Sequence, residues 1–311
     1  KPRKSKLNLN FENINVLLIG DFMIDSYCYG KSDRQSPEAP VPVIKKQKID
    51  FAPGGAGNVA MNLRALGANV SCVGYIGKDK PGAALIQFFK NEGIDYNHIF
   101  VEDIPTTQKK RYFSNGTQVI RIDEEEVLND WKPKSLSKLK TGSFDIVILS
   151  DYNKGVLNQG WFKELEFQNI IVDPKKNDFS FYSNSRIITP NLDELQRATK
   201  IELNDFDSIQ RACNEILTKT NFEYIIAKMG DRGMAIAGKR NFFKIIDPYF
   251  VESPDVTGAG DTVIASFSLA YAQFSDVVLA SKVANAAASI VVGKKGTATV
   301  KTKEIESLLY K

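Results

Sequence analysis

Residues 253–264 read Ser-Pro-Asp-Val-Thr-Gly-Ala-Gly-Asp-Thr-Val-Ile. A loop with two glycines runs directly into an apolar segment, and a carboxylate falls in what would be its first helical turn. Gly258, Ala259 and Gly260 leave backbone N–H groups open to an anion, because little side chain blocks the approach. A helix N-terminus adds about half a positive charge at that point. Asp261 then lies beside whatever anion binds. Amides that hold developing charge, next to a carboxylate that can take a proton from a hydroxyl, are the parts of a phosphoryl-transfer site. The same pattern has a plainer reading, since Asp near a helix start also stabilises the helix through capping and its charge.

The rest of the composition narrows the chemistry. His98 is the one histidine in 311 residues, which removes His-based triads and His-rich metal sites. It lies beside Ile99 and Phe100, where a structural role is expected. Cys28, Cys72 and Cys213 are far apart and odd in number, as expected of unpaired thiols in a reducing cytoplasm. Lys and Arg number 41 against 37 Asp and Glu, a net charge of +4. That is too little to argue for nucleic acid but suits anionic metabolites. No apolar run reaches membrane length, and no signal-peptide core follows the basic N-terminus. Residues 1–10, with Lys1, Arg3, Lys4 and Lys6, are expected to form a disordered basic tail.

The elements that would position Asp261 alternate short apolar runs with helical segments. Val16–Ile19, Val70–Ile76, Asp145–Leu149, Ile170–Val172, Ile187–Thr189 and Tyr224–Ala227 read as strands, and residues 41–49 as a strand with a solvated face. Residues 54–66, 83–91, 260–273, 276–292 and 302–309 read as helices. This predicts an α/β fold, a mostly parallel central sheet with helices on both faces. Ligands of such sheets bind beyond the carboxyl ends of the strands, where Asp21, Asp151, Asp173, Asn191 and Gly230 fall. Residues 26–50 and 105–123 lack intervening helices, and Asn115-Gly116 is a hairpin signal. They are expected to pair as a small β-sheet lid on a single domain over residues 11–311. Gly55-x-Gly57-x-x-Ala60 fits a loose dinucleotide fingerprint, but it does not follow the first strand as that motif requires.

Two signatures in order, some 200 residues apart, carry a resemblance. Ala52-Pro53-Gly54-Gly55-Ala56-Gly57-Asn58-Val59-Ala60 and Asp255-Val256-Thr257-Gly258-Ala259-Gly260-Asp261-Thr262 resemble those of the ribokinase-like (PfkB) sugar kinases. Gly20–Asp25, Ser36–Val43, Ser150–Gly155 and Ala284–Ala288 are similar to the heptose-7-phosphate kinase subgroup. The resemblance implies ATP-dependent phosphorylation of the anomeric hydroxyl of D-glycero-β-D-manno-heptose 7-phosphate, serving ADP-heptose and lipopolysaccharide core synthesis. Many members of that subgroup carry a C-terminal nucleotidylyltransferase domain, so a stand-alone kinase or a kinase domain is expected here. Another kinase of the family, acting on ribose, fructose or a hexose phosphate, is the alternative. A non-catalytic sugar or nucleotide sensor is a further one, which Asp261 argues against.

The resemblance makes Asp261 the general base and Gly258, Ala259 and Gly260 the anion hole. Asp25, Gly54, Gly55 and Asn58 are expected at the sugar, although Asn58 could equally cap its helix. A substrate already carrying phosphate needs a second basic site, for which Arg34, Lys109, Arg111, Lys154, Lys175 and Lys176 are candidates, with Asp151 nearby. Lys228, Gly230, Gly233 and Asn285 are expected around adenine. Asn191 and Glu194 are expected to orient Mg²⁺ of Mg-ATP through water, although Asn with Glu three residues on is also a capping box. The family often uses a monovalent cation near the anion hole. A homodimer through the exposed edges of the lid is expected.

Overall fold

The computed structural model describes residues 7–310 apart from 135, 137, 138, 140–142 and 295. β1 (Asn15–Gly20) lies inside a nine-stranded sheet, between β4 (Asn69–Gly77) and β8 (Ile146–Ser150), parallel to both. β5 (Asp95–Glu102) follows β4 at one edge. On the other side β8 is followed by β9 (Ile170–Asp173), β10 (Ile187–Ile188) and β11 (Tyr224–Lys228), all parallel. The antiparallel strands β12 (Met234–Gly238) and β13 (Phe242–Ile246) complete it. The winding reverses between β1 and β8, so their carboxyl ends open the crevice where such sheets bind ligands.

The apolar runs are continuous because both faces of the sheet are covered. Val16 and Leu18 pack into one core layer with α1 (Ala56–Ala65), α5 (Ala259–Phe274) and α6 (Val277–Val292). Leu17 and Ile19 point the other way, into a layer with α4 (Phe206–Lys219). The remaining helices are α2 (Lys80–Glu92), α3 (Leu192–Thr199) and α7 (Thr302–Leu309).

A separate four-stranded sheet forms the lid, in the order β3 (Lys45–Gly55), β2 (Phe22–Lys31), β6 (Gln108–Ser114), β7 (Thr117–Glu124). It draws on both segments expected of it, although β2 begins earlier, at Phe22, directly after Gly20-Asp21. The strand expected over 41–49 starts only at Lys45 and runs on to Gly55. Pairing puts Asp25, Tyr27, Lys109 and Arg111 on one face of the lid, and Ile49, Phe51, Ile120 and Ile122 on the other.

Three differences from the sequence reading have local causes. The β12–β13 hairpin turns at Arg240 and Asn241, both left-handed (φ 60° and 58°), without the glycine that marks such turns. α3 and α4 lie outside the segments read as helices; both start at capping boxes, of which only the Asn191–Glu194 pattern was noted in the sequence. Residues 7–10, assigned to the tail, are packed instead. Leu9 is buried and its N–H donates to Glu306 Oε1 (2.7 Å).

Candidate active site

The loop before α5 is fastened before the helix begins. Asp255 Oδ1 accepts from the Thr257 N–H (3.1 Å) and Oδ2 from the Gly296 N–H (2.9 Å). These bonds hold its carboxyl below the usual range. Gly258 is the N-cap of α5 in the left-handed region (φ 73°). A Cβ there would lie 2.7 Å from Asn58 Nδ2, so conformation and space both demand glycine. No side chain caps the helix; of its first amides, that of Ala259 donates to the Val256 carbonyl (3.2 Å).

Asp261 is therefore not the cap that the plainer reading allowed. It is buried, and its Oδ2 accepts from Asn58 Nδ2 (2.7 Å). Asn58, in the first turn of α1, faces this carboxylate and makes no cap bond, while Gly55 occupies the N-cap. Oδ1 accepts from the Tyr152 hydroxyl. Burial pushes the Asp261 carboxyl up to about 6; the bonds from Tyr152 and Asn58 oppose that shift. A carboxylate that ionises near neutrality in a water-poor site can take a proton from a hydroxyl.

Lys228 ends β11, and its Nζ lies 2.5 Å from Asp173 Oδ1 at the end of β9. It also lies 3.7 Å from where a Cβ on Gly260 would sit. Burial alone would lower this ammonium, but Asp173 and Glu194 outweigh it and hold the group above its usual value. Lys228, expected beside adenine, thus faces the start of α5. Gly230 and Gly233, just beyond it, form a short turn with φ of 63° and 81°. Asn285 on α6 donates to the Asp247 carbonyl (2.8 Å).

Asn191 and Glu194 form the capping box of α3, with bonds of 2.8 and 2.9 Å. Glu194 Oε1 remains, 3.9 Å from Lys175 Nζ. Burial raises the Glu194 carboxyl. No cluster of three metal-ligating side chains occurs among the described residues. Of the Asn191–Glu194 pair, Glu194 Oε1 is the carboxylate oxygen that the capping box leaves over.

The lid face supplies the upper wall. Arg111 Nη1 lies 2.7 Å from Asp25 Oδ1, an ion pair of a half-buried arginine with a buried carboxylate, with its guanidinium over the Tyr27 ring. Gly54 lets β3 pass this pair, since a Cβ there would lie 2.7 Å from Asp25 Oδ2. Lys109 sits 5.6 Å from the centroid of the Tyr152 ring, and burial lowers its ammonium. Other basic candidates are placed differently. Arg34 is exposed on the β2–β3 connection and makes no ion pair among the described residues. Lys154 pairs with Glu125. Lys176 Nζ donates to Asn153 Oδ1 (3.0 Å) and Asn158 Oδ1 (2.8 Å). Asp151, expected among substrate contacts, accepts from the Tyr182 hydroxyl and from the Asn153 N–H (2.6 Å). Its carboxylate thus holds a turn.

Three residues not assigned from sequence join the site. Tyr152 and Asp173 touch Asp261 and Lys228. Asp21 accepts from the N–H groups of Tyr152 (2.8 Å), Lys154 (3.1 Å) and Val156 (3.1 Å), fixing the loop that carries Tyr152. Burial, aided by Asp151, raises Asp21 to about 6. The signal for Asp21 and Asp173 was their position at strand ends; Tyr152 followed such an end without a pattern of its own.

Comparison with known proteins bears on this geometry. Residues 13–304 match the model of the pfkB family carbohydrate kinase. The bifunctional protein HldE of Hydrogenovibrio crunogenus is 36% identical over 307 residues, 96% of this chain and 64% of that protein. The bifunctional protein HldE of Shewanella piezotolerans is 38% identical over 306 residues, with the same shares. The chain thus spans just under two thirds of these curated relatives. A ribokinase from Thermotoga maritima superposes with a TM-score of 0.77 at 20% identity, over 96% of this chain and 100% of that one. Escherichia coli phosphofructokinase-2, crystallised with potassium, gives 0.76 at 20%, over 96% and 99%.

Proposed function

The chain belongs to the pfkB family of carbohydrate kinases, and from that premise we propose that it phosphorylates the anomeric hydroxyl of D-glycero-β-D-manno-heptose 7-phosphate with Mg-ATP. The observation that carries this reading is the buried Asp261 carboxylate at the uncapped start of α5, with Lys228 across from it. In this reading Asp261 takes the proton of the attacking hydroxyl. The amides of Gly258–Gly260 receive charge developing on the transferred group, and Lys228 adds a positive charge there. Asn58, by holding one oxygen of Asp261, leaves the other side of the carboxylate for substrate and Tyr152. The metal ion, when bound, neutralises charge on the nucleotide phosphates; Glu194 Oε1 is the group to hold it through water.

Specificity for a sugar that already carries phosphate rests on the similarity to HldE proteins and on Lys109 and Arg111 on the inner face of the lid. Arg111 reaches a substrate phosphate only by sharing itself with Asp25, so Lys109 is the less committed cation. A homodimer through the lid belongs to the same reading, supported by the exposed apolar residues Ile49, Phe51, Ile120 and Ile122. Light scattering that finds a monomer at micromolar concentration removes it. No helix among the described residues is long and apolar enough to cross a membrane.

The test is ADP release with Mg-ATP against heptose 7-phosphate, ribose, fructose and fructose 6-phosphate. Selective turnover of the heptose phosphate is expected. Preference for a neutral sugar keeps Asp261 as base and discards the phosphate-binding lid.

A further inference from the structure

We propose that Tyr152 is a positioning residue for Asp261, its phenol fixing the plane of the carboxylate against Asn58 on the other oxygen. This rests on the reading of Asp261 as the base. A carboxylate held by one donor can swing about its Cβ–Cγ bond; one held at both oxygens cannot. Asn58 and Tyr152 come from opposite sides, from α1 and from the loop after β8. The Tyr152 peptide is itself anchored, its N–H donating to Asp21 Oδ2 (2.8 Å) beneath the site. The ring carries Lys109 of the lid against it, 5.6 Å from its centroid. Tyr152 thus touches the floor, the lid and Asp261.

The direction of the bond is set by chemistry. Burial, then the charges of Asp261 and Asp173, push the Tyr152 phenol well above its usual value. It therefore keeps its proton and donates throughout the working range. A donor to a carboxylate favours its ionised form. The charged groups that also bear on Asp261 are Asp173, which opposes ionisation, and Lys228, which favours it. Asp25 and Lys109 lie on the Tyr152 side.

Tyr152→Phe removes the donor and keeps the ring, its packing and the Lys109 contact. The carboxyl titration of Asp261 is followed by ¹³C NMR on aspartate-labelled protein, its resonance identified by loss in Asp261→Asn. In Tyr152→Phe its midpoint is expected to rise above about 6. Turnover at pH 6.5 should fall by roughly tenfold, and the deficit should narrow by pH 8.5, with ATP affinity held. A merely structural residue would lose turnover equally at both pH values. An unmoved midpoint overturns the proposal, as does a moved midpoint with wild-type turnover at both pH values. An Asp261→Asn variant that turns over normally sinks the base assignment and this role together. A dead Asp261→Asn beside an unmoved Tyr152→Phe sinks only the role of Tyr152.

Discussion

At the floor of the site, Asn58 and Asp261 meet across 203 residues of chain, both buried. In the lid, every residue of β7 is exposed, and charges pair with close neighbours, as Arg121 does with Asp123 and Lys48 with Asp50. Floor contacts sit where the dielectric is low and water cannot substitute for a lost partner, so each one matters. Lid pairs exchange readily with water and ions. One lid contact comes nearer the floor: on the inner face a buried Asp25 meets a half-buried Arg111.

Substitutions can break or sharpen that contrast. Asp261→Asn should lower kcat by roughly 10²–10⁴-fold with the fold and ATP binding intact. Near wild-type turnover would mean that the floor is scaffold only. Arg111→Ala leaves Asp25 buried without its cation, at a cost of roughly 1–3 kcal/mol in denaturant unfolding, and KM for the sugar phosphate should rise more than KM for ATP. Equal rises would place Arg111 with the exposed lid pairs. The floor also has a pH signature. Asp21 and Asp261 sit at about 6 when folded against 3.8 for a free aspartate side chain. The folded state then binds more protons than the unfolded chain between these values, so their stabilising contribution is full below pH 3.8 and is lost as pH rises through about 6. Asp261→Asn should accordingly stabilise the protein at pH 8, on the order of 1–3 kcal/mol, and much less at pH 4.5. A variant equally affected at both pH values would contradict it. Lys48→Ala should leave the melting temperature unchanged, and a clear drop would show that the outer lid is not as loosely held as its exposure indicates.

How much could be read in advance follows the same divide. The central sheet was legible because strands such as Val16–Ile19, buried on both faces, must be apolar throughout. Gly258 and Asp261 were legible because loop, glycine and helix start lie together in sequence. The donors that hold Asp261 were not equally visible. Asn58 stood in a recognisable motif, but which group it would face depended on packing α1 against α5. Tyr152 bonds Asp261 across 109 residues, and no local pattern encodes that pairing. The partners of Lys228 were hidden for a related reason: the glycines after it suggested a nucleotide turn, whereas the strand, read as ending at Ala227, runs on to Lys228, whose side chain meets Asp173.

The Asp173–Lys228 pair means that the start of α5 faces no empty positive hole. The lysine charge already has a counter-ion 2.5 Å away, tethered to the end of β9. An anion that draws Lys228 to itself leaves Asp173 short of its cation, so its gain from the lysine is the difference between two pairings and not a whole charge. The same pairing holds the ammonium in one place.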